Sequence, residues 1–114
     1  MKKYSLFIGR WQPWHAGHRW LIDQRLDENK NVLIGIREID QNDNNPYDPK
    51  EVKINIENEL SDLIEVGRVK VMVIPDIESV NYGRGVGYEI IEHVPPKNVG
   101  AVSYTHLRAH ETRG

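Results

Sequence analysis

The chain has 114 residues, 39% of them hydrophobic and 28% charged, with a formal net charge of −2. That length supports one domain with a modest core, and the charge balance gives no global basic field for DNA or RNA. There is no cysteine, so disulfides and thiolate chemistry are excluded and a cytoplasmic setting is expected. No apolar run approaches bilayer-spanning length, and Lys2-Lys3 precedes an apolar stretch too short for a signal peptide. Neither nucleic acid nor a membrane is therefore an expected partner, and self-association is left open.

Residues 4–8, Tyr-Ser-Leu-Phe-Ile, are short and apolar and predict a buried parallel strand. Gly9 frees the chain to turn and Pro13 fixes part of that turn. A helix is predicted from about residue 17 to residue 26. On it, His18, Leu21, Ile22, Arg25 and Leu26 fall on one side at helical spacing. Strand, tight turn and helix place a ligand at the C-terminal end of a parallel strand. The helix start offers N–H groups and a positive dipole end, which suits an anion. Arg10, His15 and His18 crowd the same turn, and each can donate to a phosphate oxygen.

A second strand is predicted over residues 31–36, followed by a polar loop over 38–47. Asp48-Pro49-Lys50-Glu51 carries an N-cap, a first-turn proline and the reciprocal acid of a capping box. Val52, Ile56, Leu60, Leu63 and Ile64 then recur at spacings of four and three, predicting one amphipathic helix that stops at Gly67. Residues 68–74 are a third strand, ended by Pro75-Asp76, which puts Asp76 on the rim where sites form. Gly83, Gly85 and Gly87 make a flexible loop with Arg84 at its tip, able to meet a phosphate. A short helix over 88–93 and a last strand over 98–102 complete the expected elements. Alternation of strand and helix predicts an α/β fold with a parallel sheet flanked by helices.

The stretch Gly9-Arg10-Trp11-Gln12-Pro13-Trp14-His15-Ala16-Gly17-His18 resembles the H-x-G-H signature of the nucleotidyltransferase superfamily. Its fuller form is most similar to the G-R-F-Q-P-x-H-x-G-H pattern of nicotinamide-mononucleotide adenylyltransferases. Asn45-Pro46-Tyr47 resembles the N-P-F that precedes the second helix in that branch. Val102-Ser103-Tyr104-Thr105-His106-Leu107-Arg108 resembles the superfamily's second signature, I-S-x-T-x-I-R, with Tyr104 and His106 departing from the usual residues. Family members continue beyond this point with a further helix. The whole of residues 1–114 is thus expected to be a single nucleotidyltransferase-like domain, truncated or non-native after about residue 102.

The resemblance implies a Rossmann-like fold and transfer of a nucleoside monophosphate, AMP from ATP first of all, to a phosphate-bearing acceptor such as nicotinamide mononucleotide. Pyrophosphate would leave. The nucleotide and phosphate contacts it implies are Gly9, Arg10, Gln12, His15, Gly17, His18, Ser103, Thr105 and Arg108. His18, His15 and Arg108 would carry the catalysis, and Asp76, Arg84 and Asn45 are candidates for the acceptor side. A phosphomonoester acceptor is already anionic near neutral pH, so no general base is needed. Mg2+ would be bound through the nucleotide phosphates, with no protein metal cage. Two alternatives stand beside this reading: a cytidylyltransferase acting on a small phosphorylated alcohol, and a non-catalytic nucleotide-binding module.

Overall fold

Three strands lie parallel, side by side in sequence order: β1 (Tyr4–Gly9), β2 (Asn31–Glu38) and β3 (Val69–Pro75). The computed structural model describes residues 2–43, 45–83 and 89–95. Helix α1 (Ala16–Leu26) joins β1 to β2, and α2 (Pro49–Glu59) with the short α3 (Ser61–Glu65) joins β2 to β3. This is the parallel α/β sheet that the alternation of strand and helix predicts, in the Rossmann-like arrangement that the resemblance implies.

The central strand is β2. Phe7, Ile34 and Val71 stand in register across the sheet, and Val32, Ile34 and Ile36 are fully buried. Alternate residues of a strand share one face, so these three form a stripe. Ile22 and Leu26 of α1 and Val52 and Ile56 of α2 belong to the same core cluster, with Leu60. Each fully buried isoleucine contributes roughly 2–3 kcal/mol of apolar transfer. The opposite face is more open: Leu6 and Met72, both off the stripe, are exposed.

The predicted helix over 48–67 divides in two. Asp48 caps α2 through Lys50 N, and Glu51 reaches back to the Asp48 N–H, as its sequence requires. At Leu60 the backbone leaves helical geometry (φ −112°, ψ 24°), and this side chain is only 2% exposed. The bend coincides with Leu60 entering the core, while Ser61-Asp62 suit a helix start better than a helix interior. Gly67 stops α3 with φ +81°. Its N–H bonds the Ile64 carbonyl and the Arg68 N–H bonds the Leu63 carbonyl, a Schellman closure. The short helix expected over 88–93 is not formed in the described part: residues 89–95 have no regular secondary structure. A stretch so short, ending at Pro95, does not nucleate a helix without packing to hold it. It lies against β1 through His93, whose ring stacks on Phe7 at 6.0 Å.

Because the strands are parallel, Gly9, Glu38 and Pro75 end on one edge of the sheet. The starts of α1 and α2 follow that edge, and so does Asp76. The site is built there.

Candidate active site

The turn between β1 and α1 is shaped by Trp11. Its backbone is left-handed (φ 58°), an arrangement that costs a bulky residue of order 1–3 kcal/mol. The side chain compensates. It is 5% exposed, and its Nε1–H donates to the Gly35 carbonyl in β2 at 3.0 Å. The indole lies on Gly9, where an added Cβ would sit 3.2 Å from Trp11 Cε2. Gly9 therefore serves a purpose other than the one its sequence suggests. Among the described glycines only Gly67 has a positive φ, and Gly9 makes room for an indole. The Gln12–Pro13 peptide is cis.

His15 is the N-cap of α1. Its Nδ1 accepts from the N–H groups of Gly17 at 3.0 Å and His18 at 3.4 Å. His18, three residues on, accepts the His15 N–H at its own Nδ1, 3.3 Å away. Two histidines thus make a capping box of the kind usually built from Ser or Thr with Glu. The sequence suggested open N–H groups at this helix start; Gly17 and His18 instead donate theirs to His15. A neutral imidazole that accepts at Nδ1 carries its proton on Nε2. Both rings therefore keep one Nε2–H donor that the cap does not use.

The rings stack with centroids 3.8 Å apart and 17° between planes. His18 is also edge-on to Trp11 at 4.9 Å and tilted against Trp14 at 5.5 Å. Burial among these rings, with the repulsion of a charged His15 second, lowers the His18 pKa from 6.5 to about 4. Burial lowers His15 as well. Near neutral pH the pair is uncharged, so positive charge at this turn must come from another side chain.

Arg10 supplies it. Arg19, Arg25 and Arg37 form ion pairs with Asp23, Glu28 and Asp76. Arg68 donates to the carbonyls of Leu26 and Lys30. Arg10 is exposed and donates through Nη1 to Asn45 Oδ1 at 3.2 Å, a neutral partner, and among the described residues no carboxylate pairs with it. Asn45 is itself buried, 8% exposed, and its N–H bonds both the carbonyl and the Oδ1 of Asn42. Gln12 meets the same loop: Nε2 donates to the Tyr47 carbonyl and Oε1 accepts the Tyr47 N–H, each at 3.1 Å.

Of the residues singled out in the sequence, these contacts join Gly9, His15, Gly17 and His18 around Trp11 and tie Arg10 and Gln12 to the loop of Asn45, two sets that meet through the chain at residues 10–12. Asp76 stands on the strand rim as expected, held by Arg37 at 2.8 Å and accepting the Ile77 N–H. Arg84, Ser103, Thr105 and Arg108 lie outside the described residues. Trp11, Trp14 and Tyr47 matter to this geometry more than their place in the motif indicated. The signal was the clustering of Trp11 and Trp14 with the two histidines, while Tyr47 enters through its backbone. An open groove beside His15 is lined by Trp14, Ala16, Arg19, Glu59 and Leu60. Among the described residues, no three His, Cys, Asp or Glu side chains stand together as a metal cage would require. None of their helices is long and apolar enough to cross a membrane.

Compared with known proteins, the chain is similar to the nicotinamide-nucleotide adenylyltransferase of Methanospirillum hungatei JF-1, with 42% identity over 45 residues. The match covers 40% of this chain and 25% of that protein. No protein-family profile matches, and no solved structure does. The partial match supports a nucleotidyltransferase relationship over that segment.

Proposed function

We propose that the chain is an adenylyltransferase-type domain that transfers AMP from ATP to a phosphomonoester, nicotinamide mononucleotide being the first acceptor to test. The observation that carries this reading is the pair of neutral histidines at the start of α1, each with an Nε2–H that the cap does not use, with Arg10 in the turn before them and no carboxylate paired to it among the described residues. Neutral donors suit a phosphoryl group in transfer, because they strengthen as charge develops on it without gripping the ground state.

The acceptor phosphate attacks the α-phosphorus of ATP, the bond to the bridging oxygen breaks, and pyrophosphate departs with that oxygen. The acceptor needs no deprotonation, so the protein's task is positioning and charge stabilisation. His18, held by Trp11, Trp14 and His15, donates to the α-phosphoryl oxygens. His15 assists from the cap, and Arg10 holds the outer phosphates with Arg108. Magnesium, when bound, neutralises triphosphate charge. Arg10 and the histidines would donate to the phosphates and hold no metal themselves, and among the described residues no three His, Cys, Asp or Glu side chains form a cage, so the ion would come with the nucleotide.

Pyrophosphate release by the full chain, with ATP or CTP, magnesium and a panel of phosphorylated acceptors, tests this. ATP with nicotinamide mononucleotide should turn over. His18→Ala should lose on the order of a hundredfold in kcat and kcat/KM alike, as when one preorganised donor is removed. Arg10→Ala should act chiefly on KM. Turnover with CTP alone would favour cytidylyl transfer, and ATP binding without turnover would favour a binding module.

A further inference from the structure

Gln12 has both polar atoms of its side chain committed. Its amide faces the backbone of Tyr47 as one strand faces another, donating from Nε2 to the carbonyl and accepting at Oε1 from the N–H. The pairing settles which end of the amide is which, because a flipped amide would set donor against donor. Two residues earlier, Arg10 donates to Asn45 Oδ1. Three hydrogen bonds thus join residues 10–12 to residues 45–47, each across 35 positions of sequence.

The far side of this clamp is itself tied. Asn45 donates from Nδ2 to Asn42 Oδ1 as well as from its backbone, and Gln41 Nε2 donates to the Pro46 carbonyl at 2.8 Å. Tyr47 directly precedes Asp48, the N-cap of α2. The clamp therefore couples the turn between β1 and α1, which leads into the two histidines, to the start of α2. Its consequence for Arg10 is specific: Asn45 holds one of the guanidinium nitrogens only while the loop stays where Gln12 keeps it.

We infer that Gln12 is a positioning residue that makes no ligand contact: by clamping Tyr47 it keeps Asn45 under Arg10 and so aims that guanidinium at the phosphates of a bound nucleotide. The inference rests on the functional reading above for the nature of the ligand. Its physical core, the clamp, can be measured without turnover.

The test compares wild type, Gln12→Met and Gln12→Glu in two assays on the full chain. Amide hydrogen exchange reads the clamp, and titration of ATP with magnesium against the fluorescence of the three tryptophans, two of them beside the histidines, reads its consequence. Methionine matches the length of glutamine and removes both bonds. The Tyr47 amide should then exchange at least tenfold faster, while the His18 amide, bonded to His15, stays within about twofold of wild type. Glutamate keeps the acceptor for the Tyr47 N–H and loses the donor, so Tyr47 exchange should stay close to wild type. ATP affinity should fall about tenfold in Gln12→Met. Unchanged Tyr47 exchange in Gln12→Met overturns the clamp. Faster Tyr47 exchange with unchanged ATP affinity overturns the positioning role, and so does a wild type that does not bind ATP. If wild type binds ATP but releases no pyrophosphate, adenylyl transfer falls while both readouts of this inference stand.

Discussion

Acidification should unfold this chain earlier than its carboxylates alone would, and the histidine capping box is the reason. Each Nδ1 in the box accepts from a backbone N–H. Protonating it turns an acceptor into a donor aimed at donors. Burial holds His18 at about 4 in the folded state against 6.5 for a free imidazole. Between those values the unfolded chain binds the proton and the folded chain does not. By linkage, stability then falls as pH falls, beginning near 6.5 and levelling near 4. One pH unit is worth about 1.4 kcal/mol per proton, so His18 accounts for roughly 3 kcal/mol at most. The part of the ring that water still reaches reduces this. His15, lowered in the same direction by burial, adds to it. Urea midpoints at pH 7, 6, 5 and 4.5 measure the loss. The control is the double variant His15→Asn, His18→Gln, which keeps an N-cap and a side chain that can reach back to its N–H but has nothing to protonate. Its midpoints should fall distinctly less than those of wild type across this range. Parallel decline in the two proteins would refute the argument.

Trp11→Phe keeps an aromatic ring over Gly9 but removes the indole donor to the Gly35 carbonyl, and should cost about 1 kcal/mol; an unchanged urea midpoint would show that this bond adds nothing to the strand's own pairing. Ile34→Ala, at the fully buried centre of the sheet, should cost about 2–5 kcal/mol by the same measurement. Gly67→Ala places a Cβ on a left-handed residue (φ +81°) and should destabilise by about 1–2 kcal/mol. The nearby Lys2 Nζ, 2.7 Å from that Cβ, can swing aside and should contribute little, so Lys2→Ala in the same background should restore almost nothing.

Several features were legible in residue order because their causes are local. Apolar runs at 4–8, 31–36 and 68–74 fall on the three strands, with edges moved by one or two residues. Asp48, Pro49 and Glu51 start α2, and Gly67 ends the helical region, since caps and left-handed stops act within a few residues of themselves. The strand-to-helix turn carrying His15 and His18 was visible for the same reason. Other features depend on how separate segments meet, which spacing along the chain does not encode. The break at Leu60 falls where this side chain enters the core, on the same face a continuous helix would have presented, so spacing does not reveal it. Gly9 is glycine because an indole two residues on folds back over it and bonds Gly35 in the next strand. His15 and His18 were readable as phosphate ligands, but their mutual capping, and hence the Nε2–H tautomer, needed the actual helix start. Arg10 with Asn45, Gln12 with Tyr47 and Arg37 with Asp76 are partners only because parallel strands bring their C-terminal ends to one edge. The chain's order placed each of these residues on that edge, and the packing of the loops decided which of them touch.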